Sequence, residues 1–170
     1  MRAAGLPSRD AAKTFIYALL YGAGAAKIGS IVGGGAKEGQ QLINRFVAAM
    51  PKYAALKKKV EKFAGTGMLP GLDGRKLRVR SAHSSLNTLL QSAGAIVMKK
   101  ALVLFYKALR EAKIDAEFLL NVHDEWQIET TLDNADRVGR MGVEVIKQAG
   151  EYYKLRCPLT GEYKSGSSWK

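Results

Sequence analysis

Four side chains suited to binding a nucleotide recur at every fourth residue near the start of the sequence. They are Arg9, Lys13, Tyr17 and Tyr21, here called the nucleotide row, and Gly22 follows immediately. Residues four apart lie on one face of a helix. Arginine offers a planar fork to phosphate oxygens, lysine offers a point charge, and the tyrosine rings are available to a base or a sugar. The row therefore predicts a nucleoside triphosphate site. The alternative is a surface helix with two scattered cations and inward-packed tyrosines.

Two adjacent carboxylates, Asp124 and Glu125, follow His123 at a predicted hairpin turn. Magnesium takes oxygen ligands and often uses one or two carboxylates together with substrate phosphates. The pair therefore predicts a divalent-cation site, and an ordinary exposed turn is the alternative because aspartate is common in turns. His123 fits a role in orienting the loop better than metal binding, since the chain has only two histidines.

A third group of candidate residues suits contacts with nucleic acid. His83, Asn87 and Gln91 lie four apart in one long helical pattern, here called the polar stripe. Amides and hydroxyls suit the groove edges and sugar oxygens of nucleic acid, and a plain solvent-exposed face is the alternative. Just upstream, Arg78 and Arg80 alternate with apolar residues, which predicts a hairpin with one cationic face.

Charge is unevenly distributed along the 170 residues, whose formal net charge is +12. The segment up to Lys113 has 20 Lys+Arg and five Asp+Glu, whereas the remainder has seven and ten. A basic body of this kind suggests a polyanion, with nucleic acid as the first candidate and a solvated basic surface as the alternative.

Cysteine content and hydropathy indicate a soluble protein of a reducing compartment. The single cysteine, Cys157, excludes an intramolecular disulfide, and we expect it to be a buried or half-buried thiol. No signal peptide is visible, and no apolar run approaches the length of a membrane span.

The elements that position these residues predict an α+β fold, mostly helical with a small antiparallel sheet. No domain linker or repeat interrupts the chain. Helices are predicted over residues 8–21, 25–32, 36–50, 51–65, 82–112 and 133–150, hairpins over 68–81 and 119–129, and one or two short strands beyond residue 155.

Together, these motifs resemble the C-terminal part of a family A, polymerase I-like DNA polymerase, most similar to the replicative enzymes of short-tailed bacteriophages. The nucleotide row with Gly22 matches the fingers motif RxxxKxxxF/YxxxYG. Val122-His123-Asp124-Glu125 matches the palm motif VHDE, and the stretch Asn87–Gly94 resembles the helix that touches the primer–template minor groove. The resemblance runs from about Leu6 to the tail.

The resemblance implies a role for each matched residue in DNA replication. Asp124 would ligate catalytic Mg²⁺, with Glu125 in support and two ions in the complete site. Arg9 and Lys13 would hold the β- and γ-phosphates of the incoming dNTP, Tyr17 would contact its sugar, and Tyr21 would stack near the templating base. DNA contacts are assigned to Asn87 and Gln91, and with them to His83, Arg78, Arg80 and His123. His83 departs from the arginine usual in bacterial members.

One part of the family's active site has no counterpart in these residues. The second metal-binding aspartate belongs to a motif resembling DxSQIELR upstream of the fingers helix, and nothing before Arg9 matches it. We therefore expect fingers over residues 1–66, the C-terminal part of the palm over 67–170, and a partner polymerase fragment supplying the second aspartate. The alternatives are an inactive truncated gene product or a non-catalytic basic DNA-binding module. The resemblance also implies a phage protein acting in the bacterial cytoplasm, with no membrane association.

Overall fold

The chain folds into two compact units of mixed helix and sheet. A computed structural model describes Leu6 and residues 8–168. The units are Met1–Gln91 and Ser92–Lys170, and the boundary between them lies within one long helix. Each unit combines helices with a two-stranded antiparallel sheet, so the predicted α+β class is confirmed. The units divide the chain later than the predicted fingers–palm boundary at residue 66, which stays a prediction.

The first unit begins with four helices whose bounds match the predicted ones within about two residues. The Ser8 hydroxyl caps the first helix by accepting a hydrogen bond from the Ala11 amide at 3.1 Å. A hairpin and a short 3₁₀ turn follow before the long helix. The elements are α1 (Arg9–Leu20), α2 (Ala25–Ile31), α3 (Ala36–Ala49), α4 (Pro51–Ala64), β1 (Met68–Pro70), β2 (Lys76–Arg78), the 3₁₀ turn (Ala82–Ser84) and the start of α5 (Ser85–Glu111).

Helices α1, α2 and α3 share one apolar core. Phe15 of α1 is fully buried and its ring meets the edge of Phe46 at 5.4 Å between centroids. Helices α2 and α3 approach so closely that a Cβ on Gly29 or Gly39 would collide with backbone carbonyl oxygens. These glycines therefore allow the α2 and α3 backbones to pack closely, and α1 packs on both helices through the shared core.

A second core joins α4 to the first hairpin. Val60, Leu69 and Leu86 are buried together, with Leu20 and Leu89 partly buried against them. The hairpin pairs Leu69 with Leu77 and confirms the prediction for residues 68–81. Leu20 directly precedes Tyr21 of the nucleotide row, and Leu86 directly precedes Asn87 of the polar stripe. This core therefore holds the end of the row and the stripe within one unit.

The second unit packs a hairpin and a helix on the rest of α5. Its elements are β3 (Ala116–Val122), β4 (Glu125–Thr130) and α6 (Leu132–Tyr152). Phe105 lies at the centre of the core, and the rings of Phe118 and Trp126 lie 5.4 and 5.6 Å from it. The predicted hairpin turn at His123-Asp124 is confirmed, since Val122 pairs with Glu125.

Two expectations about the C-terminal tail are wrong. In the described part of the tail, residues 155–168, no strand forms. The segment instead packs by side chains, with Leu159 against Gly150 and Tyr163 against Gly139 of α6. A strand requires a hydrogen-bonding partner strand, which local sequence does not reveal. Cys157 is exposed rather than buried or half-buried.

The 3₁₀ turn and α5 form one continuous helical segment, Ala82–Glu111, that is long and apolar enough to cross a membrane by length and composition alone, and an 18-residue window within it has a mean hydropathy of 1.4. The expectation that no stretch approaches that length is wrong by this measure. The core helix of a soluble protein passes the same test, so no membrane role is assigned to this helix.

Candidate nucleotide and nucleic-acid site

The nucleotide row lies on the solvent side of α1. Phe15 and Leu19 turn into the core, whereas Tyr17 and Tyr21 are 53% and 57% exposed. Arg9 and Lys13 are exposed as well. The alternative of inward-packed tyrosines is therefore wrong, because the burial of Phe15 and Leu19 rotates the whole row outward. The roles of the four side chains in binding a nucleotide stay predictions.

A hydrogen bond joins the end of the row to the polar stripe. The Gln91 side-chain amide donates from Nε2 to the Tyr21 hydroxyl at 3.0 Å, across 70 residues of sequence. Both groups are exposed, so each keeps further hydrogen-bonding capacity for a ligand. A residue predicted to touch the nucleotide and a residue predicted to touch DNA are thus in direct contact.

Gly22 fixes the same junction through its backbone. Its φ of +80° is in the left-handed region, which glycine adopts without a steric penalty. A Cβ at this position would lie 2.5 Å from the carbonyl oxygen of His83. Glycine therefore both ends α1 and allows the chain to pass against the 3₁₀ turn.

The polar stripe is arranged differently from the prediction at its first residue. His83 lies in the 3₁₀ turn rather than on α5, so only Asn87 and Gln91 share the α-helical face. Serine hydroxyls explain the change, because Ser81 Oγ accepts from the Ser84 amide at 3.3 Å and Ser85 Oγ donates to the Ala82 carbonyl at 2.6 Å. Such bonds compete with regular helix formation.

The cationic face of the first hairpin is present as predicted. Arg78 and Arg80 are exposed, and the alternating residues Leu77 and Val79 pack against the second core. Among the described residues neither arginine forms an ion pair, so both guanidinium groups are available to a polyanion. Their contact with DNA stays a prediction.

In the second unit, the carboxylate pair lies at the tip of the β3–β4 hairpin. His123 has a φ of 56°, a left-handed conformation typical of tight two-residue turns. Asp124 is exposed, and no hydrogen bond or ion pair among the described residues occupies its carboxylate. Glu125 accepts a hydrogen bond from the Gln127 amide, which leaves Asp124 as the more accessible ligand.

Trp126 anchors this turn to the core of the second unit. It directly follows Glu125, and its ring packs on Phe105, which is 1% exposed. The exposed carboxylates are therefore held by a strand whose next side chain is fixed in place. Sequence reasoning did not identify this anchor, although an aromatic residue next to a polar turn is a usable signal.

Two carboxylates at one turn fit magnesium as a partial site. Oxygen is the donor that Mg²⁺ prefers, and one or two carboxylates with substrate phosphates is a common arrangement. Among the described residues, no three His, Cys, Asp or Glu come together as a complete protein cage. The donor set therefore suits an ion whose other ligands come from a substrate and from residues outside this turn.

Comparison with known proteins assigns the family. The profile of DNA polymerase family A matches residues 5–170. The chain is 43% identical over 173 residues to the DNA-directed DNA polymerase of Escherichia phage Phieco32, and 39% identical over 189 residues to that of Escherichia phage T7. The chain belongs to DNA polymerase family A. The resemblance drawn from the motifs is confirmed.

The chain spans about a quarter of the length of these relatives. The two alignments each cover 98% of this chain but only 28% and 27% of the phage polymerases. A solved structure, the POL domain of Pol1 from M. smegmatis in complex with DNA primer-template and dNTP, matches 83% of this chain with a TM-score of 0.75. At 19% sequence identity, this likeness shows a shared fold.

Proposed function

We propose that this chain takes part in template-directed DNA synthesis as the fingers and C-terminal palm portion of a family A polymerase. The reaction would transfer a nucleotide from a dNTP to a primer 3′-hydroxyl by a two-metal mechanism. The observation that carries the proposal is the outward-facing nucleotide row, in which two tyrosines remain more than half exposed beside two free cations. Family membership supplies the reaction class.

The nucleotide row would grip the incoming dNTP along its length. Arg9 and Lys13 would hold the β- and γ-phosphates, since their charges have no ion pair among the described residues to compete with a ligand. Tyr17 would contact the sugar. Tyr21 would lie beside the templating base, with its hydroxyl held by Gln91.

Primer–template DNA would be bound by the polar stripe and the neighbouring cations. Amide groups of Asn87 and Gln91 suit neutral acceptors in the minor groove. His83, Arg78 and Arg80 would contact the backbone, and His123 would contact DNA near the carboxylate turn. Phosphate contacts position the duplex without reading its sequence, as a polymerase requires.

Asp124 would hold the metal and Glu125 would support it. Magnesium held by these carboxylates would supply positive charge beside the primer hydroxyl and the α-phosphate. The complete site needs a second aspartate, which an N-terminal polymerase portion would supply. The β3–β4 sheet supports the need for such a portion, because its edges are open among the described residues and Leu119 and Leu120 of β3 are 56% and 48% exposed.

Primer extension tests this proposal. The chain is mixed with an N-terminal fragment of a related phage polymerase that carries the missing aspartate motif. We expect extension with the wild-type mixture, and a loss of at least about 100-fold with Asp124→Asn, because a metal ligand is removed while the side-chain shape is kept. The isolated chain is expected to show no incorporation.

Asp115→Asn is the matched control. Asp115 is an exposed aspartate beside the opposite end of the same hairpin. Its backbone carbonyl accepts from the Thr130 hydroxyl, and its side chain forms no hydrogen bond or ion pair within the part of the chain that the structure describes. It should leave extension unchanged. Equal losses in both variants would contradict a metal role for Asp124, and extension by the isolated chain would contradict the need for a partner. If the phage fragment gives no extension, the same comparison is made with the cognate N-terminal portion.

A second candidate function is binding of DNA without catalysis. The charge of +15 in the first 113 residues favours it, because salt-sensitive DNA binding needs only this charge. Strong binding that does not depend on dNTP, even with the complementing fragment, would favour this alternative. In either case we propose the bacterial cytoplasm as the place of action.

A further inference from the structure

Helix α4 carries an exposed cluster of lysines that the site described above does not use. Lys58, Lys59 and Lys62, here called the lysine face, are all exposed on the solvent side of the helix. Glu61, three residues after Lys58, pairs instead with Lys57 at 3.9 Å. Among the described residues the lysine face has no ion pair, so its three charges are not neutralised by the protein.

This arrangement is unfavourable for the helix by itself. Lys58 and Lys62 are four residues apart and Lys59 and Lys62 are three apart, so like charges face each other on adjacent turns. The nearest carboxylate in the sequence, Glu61, is already paired with Lys57. A bound polyanion would relieve the repulsion, and phosphates spaced along a strand match several lysines on one face.

An exposed aromatic side chain lies next to these lysines. Phe63 is four residues after Lys59 and is 38% exposed. Basic residues interleaved with an aromatic ring are typical of surfaces that bind single-stranded nucleic acid, because an unpaired base stacks on the ring while cations track the backbone. Duplex DNA offers no free base face, so Phe63 favours a single strand.

The second core sets the position of the lysine face relative to the proposed site. Val60, on the opposite side of α4, is 3% exposed and packs with Leu69 and Leu86. Leu20 and Leu89 are packed against the same cluster. Leu20 precedes Tyr21, and Leu86 precedes the polar stripe. The lysine face is therefore on the outer side of the core that supports the templating end of the nucleotide row.

We propose that the lysine face and Phe63 bind the single-stranded template where it extends beyond the primer–template duplex. This inference rests on the proposed function for the identity of the strand. The contact would be independent of sequence, because lysine meets phosphate as a point charge and every base has a face that can stack. It is separate from the contacts proposed for Asn87 and Gln91.

Binding of two DNA ligands to the intact chain tests this proposal. One is a blunt duplex, and the other is the same duplex with a single-stranded template overhang of about eight nucleotides. Fluorescence anisotropy at several salt concentrations gives the affinity and its salt slope. We expect Lys58→Gln, Lys59→Gln and Lys62→Gln together to weaken overhang binding about tenfold and to lower its salt slope by about 2, with blunt-duplex binding nearly unchanged.

The matched control removes the same charge elsewhere in the first unit. Lys27, Lys37 and Arg45 are exposed on α2 and α3 and have no assigned role, so their glutamine triple variant should lose less than twofold. Glutamine keeps helix propensity close to that of lysine, and circular dichroism checks the fold of both variants. Phe63→Leu should weaken overhang binding alone.

Each other outcome would overturn the proposal. An equal loss in the control triple variant would mean that only net charge matters. An equal loss for blunt and overhang DNA would remove the assignment to the template strand. Loss of binding to a polyglutamate peptide with unchanged DNA affinity would make the face a site for an acidic protein. Asp124-dependent extension is measured in parallel, so failure of the proposed function is scored separately.

Discussion

Replacing Gly22 with alanine should impose two separate energetic costs. At φ +80° an alanine adopts a left-handed conformation that costs about 1–2 kcal/mol. Its Cβ would also lie 2.5 Å from the His83 carbonyl oxygen, a backbone atom that cannot rotate away. Moving the 3₁₀ turn to relieve this contact resembles overpacking, which costs about 1–3 kcal/mol. Together, the two costs should lower the free energy of unfolding by about 2–5 kcal/mol.

Two other glycines separate these terms. Gly33 has a φ of +72° but nothing within 4 Å of its would-be Cβ, so Gly33→Ala should lose only the conformational term of about 1–2 kcal/mol. Gly24 has open space as well and a φ of −73°, so Gly24→Ala should lose only the difference between glycine and alanine as the N-cap of α2, about 0.5–1 kcal/mol. From the most stable variant to the least stable, the expected order is Gly24→Ala, Gly33→Ala and Gly22→Ala.

Thermal and urea unfolding of the purified chain, followed by far-UV circular dichroism, measure these differences. For a chain of this size each kcal/mol lowers Tm by about 2–4 °C, so Gly22→Ala should melt roughly 4–20 °C lower than the wild type. Hydrogen exchange assigns the loss to the first unit, which matters because the two units need not unfold together.

A specific result would refute this reasoning. If Gly22→Ala is as stable as Gly33→Ala, the close approach to His83 does not exist in solution. The packing of Gly22, at the end of α1, against the 3₁₀ turn would then be refuted. A second readout uses primer–template affinity, which should fall for Gly22→Ala and not for Gly33→Ala, since only the former moves His83.

Three further substitutions test other contacts. In the reconstituted enzyme Tyr17→Phe should discriminate more strongly against dideoxynucleotides, and unchanged selectivity would remove Tyr17 from the sugar. Gly139→Ala should destabilise the tail by about 1–3 kcal/mol because its Cβ would enter the Tyr163 ring, which a Tm measurement detects. Hydrogen bonds from the neighbouring arginine hold the pKa of Asp73 below its usual range. Its stabilising effect is therefore present above the unfolded-state pKa of about 3.9 and lost as pH falls through the lower folded-state pKa. Asp73→Asn should therefore destabilise the chain at neutral pH, and the difference from the wild type should shrink as the pH is lowered into the acid range.

Local signals were sufficient to predict most elements of the fold. The helix beginning after Ser8 has a capping hydroxyl, Pro51 suits the first turn of α4, and glycines mark several ends, so these bounds need no knowledge of distant residues. Both hairpins followed from alternation of apolar and polar residues around turn residues. The prediction of strands in the tail was wrong because a strand depends on a partner strand. Here the Tyr163 ring packs against Gly139 of α6 instead.

The candidate site was predicted residue by residue but not contact by contact. Spacing places Arg9, Lys13, Tyr17 and Tyr21 on one face, and the burial of Phe15 decides that this face points outward. The hydrogen bond from Gln91 to Tyr21 spans 70 residues, so no local pattern reveals it. The serine-rich start of α5 also escaped prediction, because competing hydroxyl bonds place His83 in a 3₁₀ turn.

The unpaired lysines of α4 have a consequence for handling the protein. Added salt screens the repulsion between Lys58 and Lys62, so the stability of α4 should increase as the ionic strength is raised over the usual buffer range. The same salt weakens the hold on any polyanion. Washing at high ionic strength during purification should therefore remove host nucleic acid without harming the fold. A preparation later dialysed into dilute buffer should be prone to co-precipitate with whatever acidic polymer remains.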